Sequence, residues 1–389
     1  MKTALIVSFN FPPLAKISVV RALKFCKYLP NFQWTPWIYT VDPKYYGEAL
    51  DHEAFQDAKQ MQTHRIPYVQ MPFARTIVSL LFPFLALHFI LKNRKAIDVV
   101  YMVGSPYHPF IISSILTTII QMPVVLDFRD SWSMNYGFDG KKRSEVSLVD
   151  RTLHSIYHWI EKLSLQYASV AVFATRYLER EYIDNHPQYS DKYVTICNGY
   201  DEDDFKNITP IITFENEKSI IICGKFAIYL GDQLSLFFQA VQEIPEVFLI
   251  YVGSEHKTMR AMAKDFKVTN RVKVFPFKPY SETLQLLAGC DYGLLSHGMV
   301  NGMGTKIFDY LALKKAFLCL VPEGSIITDT FGHLNSMITC KLPLSKESII
   351  QGFRSLICIS GSDMSDEVAF FNRRNATEKL SRLFDRVTK

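Results

Sequence analysis

YGLLSHGMVNGMGTKIFDYLA, residues 292–312, decides how the chain is read. Its first four residues form an apolar run too short for a helix and continuous rather than alternating, as in a strand covered on both faces. Gly298, Gly302 and Gly304 follow, and an amphipathic helix opens at about Ile307. A strand, a glycine-rich turn and a helix make one α/β unit. Backbone N–H groups exposed at such a helix start form an anion site. A tight turn without a ligand accounts for the same glycines. The spacing is neither the dinucleotide G-x-G-x-x-G nor a P-loop.

The same rhythm extends in both directions. Apolar runs at 220–223, 248–252, 272–275 and 317–321 share this half of the chain, and a first series lies at 4–7, 37–40, 99–103, 124–128, 170–174 and 194–197. Each is separated from the next by enough residues for a helix, which implies parallel sheets with helices on both faces. Two series mean two doubly wound domains, and 389 residues accommodate them. The acidic stretch NGYDEDDF (198–205) reads as the start of a linker. The expected division is a first domain over 1–200, a second over 201–365, and a C-terminal helical segment over 366–389 that packs back on the first domain. In such a fold the main site is expected in a cleft between the domains, beyond the carboxyl ends of the strands.

Composition narrows the function. With 48% hydrophobic and 21% charged residues the chain is globular. The net charge of +5 lies wholly in residues 1–200, which hold 21 basic and 16 acidic groups; the remainder balances at 22 of each. So mild an excess makes nucleic acid an unfavoured partner. Seven cysteines are scattered without a C-x-x-C pair, which argues against a zinc site or a disulfide framework. The first residues, MKTALIVSFNFPP, read as a strand rather than a signal peptide, so a cytoplasmic location is expected. The longest apolar run, 77–91, contains Pro83 and His88 and falls short of the roughly 20 residues that span a bilayer. With Lys92, Arg94 and Lys95 after it, the run suits the surface of an anionic leaflet, and equally a buried helix through Leu80, Leu81 and Leu85.

Charges gathered at strand ends mark the candidate sites. Asp127, Arg129 and Asp130 crowd the end of the run at 124–128, where a carboxylate serves as a base or, alternatively, an Arg–carboxylate pair holds the loop. Arg21, Lys24 and Lys27 recur every three residues on a helix; Lys24 and Lys27 read as an ordinary solvated face, whereas Arg21 lies nearer the expected cleft. Lys225 follows Gly224 at the end of the run at 220–223, placed to meet a diphosphate as a point charge.

Taken in order, FNFPP (9–13) with Arg21, PVVLDFRDSW (123–132), CNGYDEDDF (197–205), CGKF (223–226), the segment 272–296 and GMGTKIFDYLALKKAFL (302–318) resemble the retaining, nucleotide-sugar-dependent GT-B glycosyltransferases of the family 4 type, which serve bacterial polysaccharide assembly. The resemblance implies two Rossmann-like domains facing a cleft, a nucleotide-sugar donor on the second, a saccharide acceptor on the first, and no metal or other cofactor. The family's E-x7-E motif falls on Asn301 through Asp309, so Asn301 stands where a Glu meets donor-sugar hydroxyls and Asp309 where a Glu meets the ribose. Backbone groups of Gly302, Met303, Gly304, Thr305 and Lys306 would meet the sugar and phosphates. Lys225 matches the first of two basic positions; the second is absent, and Lys306 is a candidate substitute. On the acceptor side the resemblance implies Asn10, Pro13, Lys16 and Arg21, with Leu14, Ala15 and Lys16 in place of the usual glycines. The active-site histidine aligns with Arg129, which would orient Asp130 or Asp127 toward the acceptor. A polyprenyl-diphosphate-linked acceptor at the inner membrane face fits this type. Two rivals are a nucleotide-sugar 2-epimerase of the same fold and a binding protein with a degenerate site.

Overall fold

The computed structural model describes residues 1–14, 17–47, 50, 56–133, 147–215, 218–359 and 365–389. Two units divide the chain, the first comprising Met1–Asn198 and Arg373–Lys389, the second Gly199–Asn372.

The first unit runs β1 (Lys2–Ser8), α1 (Ile17–Tyr28), β2 (Trp34–Val41), β3 (Thr63–Ile66), α2 (Ala74–Lys92), β4 (Val99–Val103), α3 (Ser113–Thr118), β5 (Val124–Phe128), α4 (Leu148–Tyr167), β6 (Val170–Phe173), α5 (Arg176–Asn185) and β7 (Tyr193–Thr195). Its seven strands are ordered β3-β2-β1-β4-β5-β6-β7, all parallel. Successive side chains of a strand point to opposite faces, so a strand apolar throughout feeds two cores. In β4, Val100 and Met102 join the core under α2, α3 and α4, while Val99, Tyr101 and Val103 join the core on the other face.

The second unit runs β8 (Lys218–Cys223), α6 (Ala227–Leu230), α7 (Leu234–Glu243), β9 (Val247–Val252), α8 (His256–Asp265), β10 (Val272–Phe275), α9 (Tyr280–Ala288), β11 (Tyr292–Ser296), α10 (Lys306–Ala312), β12 (Phe317–Pro322), α11 (Ile326–Phe331), β13 (Met337–Leu342), α12 (Lys346–Ile357) and α13 (Ser365–Phe370). Its order is β10-β9-β8-β11-β12-β13, again parallel. Ile220 and Ile222 face one core and Ile221 the other.

The last helix, α14 (Arg373–Val387), belongs to the first unit. Phe384 sets its ring edge-on to Trp34 at 5.2 Å and Tyr101 at 5.7 Å, and Leu380 is buried in the same core. The terminal segment expected as one piece over 366–389 is therefore divided: α13 and Phe371 pack in the second unit, where Phe371 stacks near Phe308 and Phe331.

Two further expectations change. The apolar run at 77–91 lies in a 19-residue helix, α2, that continues through Pro83. An interior proline costs about 3 kcal/mol, and burial of Val78, Phe82, Ala86 and Ile90 on the sheet offsets it. Lys24 is buried rather than on a solvated face.

Candidate functional site

In each sheet the connections diverge beside the first strand, between β1 and β4 in the first unit and between β8 and β11 in the second. Open α/β sheets hold ligands in the crevice beyond the carboxyl ends at that switch point.

In the second unit, β8 is followed by Gly224, whose φ of +90° is a conformation that favours glycine. That turn presents Lys225, exposed and with no ammonium partner among the described residues. The loop is held from below. The N–H groups of Phe226, Ala227 and Ile228 donate to the Glu255 carboxylate at 2.6, 2.8 and 3.0 Å. Tyr251 donates its hydroxyl to the Gly224 carbonyl at 2.8 Å and accepts from the Glu255 N–H at 3.1 Å. Burial pushes the Tyr251 hydroxyl up to about 12, which keeps it a donor.

From β11, the His297 ring stacks on Tyr229 with centroids 4.6 Å apart, and burial lowers its pKa, favouring the neutral ring. A Cβ on Gly302 would fall 1.7 Å from that ring. The close packing of the His297 ring thus accounts for a glycine at 302 without reference to any phosphate. Asn301, Met303, Gly304 and Thr305 are half-buried, and the Asn301 amide has no hydrogen-bond partner among the described residues. In α10, Asp309 accepts from the Tyr280 hydroxyl at 2.9 Å and from Lys306 Nζ at 3.0 Å, while Lys306 lies 4.8 Å from the Tyr280 ring centroid. Burial opposes the charge on Lys306, but Asp309 and Cys223 together outweigh it and the pKa rises. Lys306 is therefore engaged by Asp309, which counts against its serving as a free substitute for the second cation. At the end of α6, where that cation was sought, Leu230 is a buried core residue. Asp309 uses one lone-pair direction on each oxygen and retains others for hydroxyl donors.

In the first unit, Asn10 donates from Nδ2 to the Ser105 carbonyl at 2.9 Å, tying the loop after β1 to the loop after β4. Its Oδ1 is buried without a hydrogen-bond partner among the described residues. Pro13 is half-buried on the same loop. Lys16, expected beside them, lies outside the described residues.

Asp127 and Arg21 do not line this crevice. Arg21 donates from Nε and Nη2 to the two Asp127 oxygens at 2.8 and 3.0 Å, and Tyr101 adds a hydroxyl at 2.7 Å, with Arg21 and Asp127 exposed by only 2% and 0%. The geometry is that of a bidentate buried ion pair, so the structural alternative describes these two residues and neither is placed to touch an acceptor. Burial disfavours the guanidinium charge, but Asp127 and Tyr101 together raise the Arg21 pKa. Arg129 is half-buried and donates from Nε to the Gly104 carbonyl at 2.7 Å. The carboxylate of Asp130 is exposed, with no partner among the described residues.

Tyr107 organises that loop. Its hydroxyl accepts from the N–H groups of Arg129 and Asp130 at 3.1 and 3.0 Å and donates to the Asp130 carbonyl at 3.1 Å. Further along, the buried Glu161 accepts from the Ser133 N–H at 2.7 Å, with His186 Nε2 3.6 Å from its other oxygen. The sequence reading passed over Tyr107, Tyr251, Glu255 and Tyr280. Glu255 was within its reach, because it too is a charge just beyond an apolar run; the tyrosines carry no such signal. Among the described residues no three His, Cys, Asp or Glu side chains converge as a metal-binding set.

No family model matches the chain, and no curated protein matches its sequence. Solved structures do match. A glycosyltransferase from Rickettsia africae ESF-5 superposes with a TM-score of 0.70 at 16% identity, over 100% of this chain and 99% of that one. Anabaena HepE in complex with UDP and glucose gives 0.58 at 12% identity, over 99% and 96%. A UDP-GlcNAc 2-epimerase from Methanocaldococcus jannaschii gives 0.61 at 12%, over 99% and 100%. With the two parallel sheets and their strand orders, these matches define the class of fold: GT-B, built of two Rossmann-like units.

Proposed function

We propose that the chain is a glycosyltransferase that moves a sugar from a nucleotide-sugar donor, held by the second unit, to a saccharide acceptor, held by the first. The observation that carries this reading is the switch point of the second unit. There an unpaired Lys225 on the Gly224 turn, the glycine loop and the Asp309 carboxylate gather at the ends of β8 and β11. A diphosphate needs a placed cation, and a ribose needs a hydroxyl acceptor. The solved neighbours in complex with UDP and glucose supply the chemical class of donor.

The finer reading follows the motif resemblance. Transfer proceeds without metal and with retention: the anomeric C–O bond breaks, and the nucleoside diphosphate leaves with the electron pair. The acceptor hydroxyl bonds to the same face of the anomeric carbon, and its proton passes to the departing phosphate oxygen. Lys225 stabilises the charge that develops on that oxygen. Asp130, rather than Asp127, is the acceptor-side carboxylate. The acceptor is a lipid-linked saccharide of cell-surface polysaccharide assembly, met at the cytoplasmic face of the membrane.

Thermal-shift titration with UDP, GDP and their sugars tests the donor assignment, since a ligand bound only by the folded state raises the melting temperature. Lys225→Ala and Asp309→Ala should each weaken binding of the active nucleotide by about tenfold or more. Unchanged affinity in both variants would remove the assignment. A structural neighbour that is a 2-epimerase supports a second reading. Release of an epimerised nucleotide sugar without transfer would favour it.

A further inference from the structure

We infer that the outer surface of α2, α3 and α4 is a docking face for an anionic lipid leaflet. This names the partner surface for the lipid-linked reading above, and rests on that reading only for its use.

The three helices share one core on one face of the seven-stranded sheet. Phe82 of α2, Leu116 of α3 and Ile160 of α4 are buried there with Val100 and Leu126. A helix with one apolar face buried in a core ordinarily turns a polar face to water. Here the outward face of α2 is largely apolar as well, and α3 and α4 add exposed apolar side chains beside it. On and beside α2, Phe73 is 82% exposed, Leu80 65% and Phe84 64%; Ile119, just past α3, is 75% exposed and Trp159 of α4 58%. So many large apolar side chains in one layer exceed the scattered exposure expected of a soluble surface.

The charge identifies the occupant. Residues 58–97 hold six cations, Lys59, Arg65, Arg75, Lys92, Arg94 and Lys95, and no carboxylate. Lys92 continues the helical row of Ile77, Leu81 and His88, and Arg94 donates to the Ile120 carbonyl at 2.9 Å, bringing the basic end of α2 against the end of α3. The three helices carry only two carboxylates, the half-buried Asp150 and the fully buried Glu161. Summed over the first unit, 27 basic residues oppose 18 acidic ones (+9), while the second unit has 16 against 20 (−4). Apolar side chains beside cations, without intervening carboxylates, complement acyl chains beside anionic headgroups.

At about 1.5 Å per residue, α2 is nearly as long as a hydrocarbon core is thick. Its other face, however, is committed to the sheet: Val78, Phe82, Ala86 and Ile90 are all buried. It therefore lies along one leaflet rather than crossing the bilayer.

Flotation of the full chain with vesicles of phosphatidylcholine containing phosphatidylglycerol tests this directly, because it reads binding without any sugar transfer. The chain should float with anionic vesicles and be released by high salt. A Lys92→Gln, Lys95→Gln variant should lose roughly 30-fold in partition, which corresponds to about 1 kcal/mol for each cation. A Leu80→Glu, Phe84→Glu variant should abolish partition. If that variant does not fold by circular dichroism, quenching of Trp159 by brominated lipid in the parent decides, since the other three tryptophans are less exposed. No flotation, equal flotation of parent and folded variants, absent quenching, or a salt-independent dimer that the Glu variant dissolves would each overturn the inference. Flotation with no transferase activity would leave the docking face standing and remove only the catalytic reading.

Discussion

Asp127, within β5, and Asp130, two residues beyond its end, lie three residues apart, and their surroundings separate them completely. Asp127 accepts three hydrogen bonds in a buried pair with Arg21, whereas the Asp130 carboxylate is exposed. The sequence shows charge at the end of an apolar run. It does not show that β5 alternates its faces, sending Asp127 inward among Tyr101 and Arg21, nor that Arg21 reaches across from α1. Breaking a buried pair strands the remaining charge, so Arg21→Ala should cost about 3–5 kcal/mol in urea unfolding. Asp130→Ala should stay within about 0.5 kcal/mol of the parent. If Asp130 is the acceptor-side group, the same variant lowers kcat by about 100-fold with the fold intact. Equal stability losses in the two variants would show that exposure does not distinguish the carboxylates as argued.

Elements were more legible than residues. Eleven strands are legible as short apolar runs, most of them buried on both faces; the two that are not, β3 (THRI) and β13 (MITCKL), are sheet edges whose half-exposed residues form no such run. Loops were least legible, since long-range side chains hold them. The segment after β8 is an example: Lys225 was found at once, but its support, Glu255, lies 30 residues further on at the end of β9. Three backbone N–H groups converge on that carboxylate, so Glu255→Ala should loosen the loop. The Michaelis constant for the donor should then rise about tenfold while kcat changes less, and Glu255→Gln should recover part of the loss through its amide oxygen. A drop in kcat alone, or no rescue by Gln, would mean that Glu255 does not act by placing Lys225.

Across the whole molecule, the count of charges acquires a location: the surplus is concentrated in the unit that carries the apolar helices, and the second unit is acidic overall, with exposed single cations such as Lys225. Both units also contain half-buried imidazoles, which couple their stability to pH. Partial burial lowers the pKa of His108 and His297 below 6.5. His108 Nε2 lies 2.7 Å from the Ser79 carbonyl, so the neutral ring carries its proton there, under α2. Between each folded pKa and 6.5 the unfolded chain binds more protons than the folded one, and stability rises with pH. The melting temperature should therefore be level from about pH 8 to 7 and fall as pH drops below about 6.5, before ordinary carboxylates protonate near 4. A His108→Gln variant, which keeps a donor to Ser79 but cannot charge, should fall less steeply over that window. An acid slope unchanged by the substitution would place the pH sensitivity elsewhere in the fold.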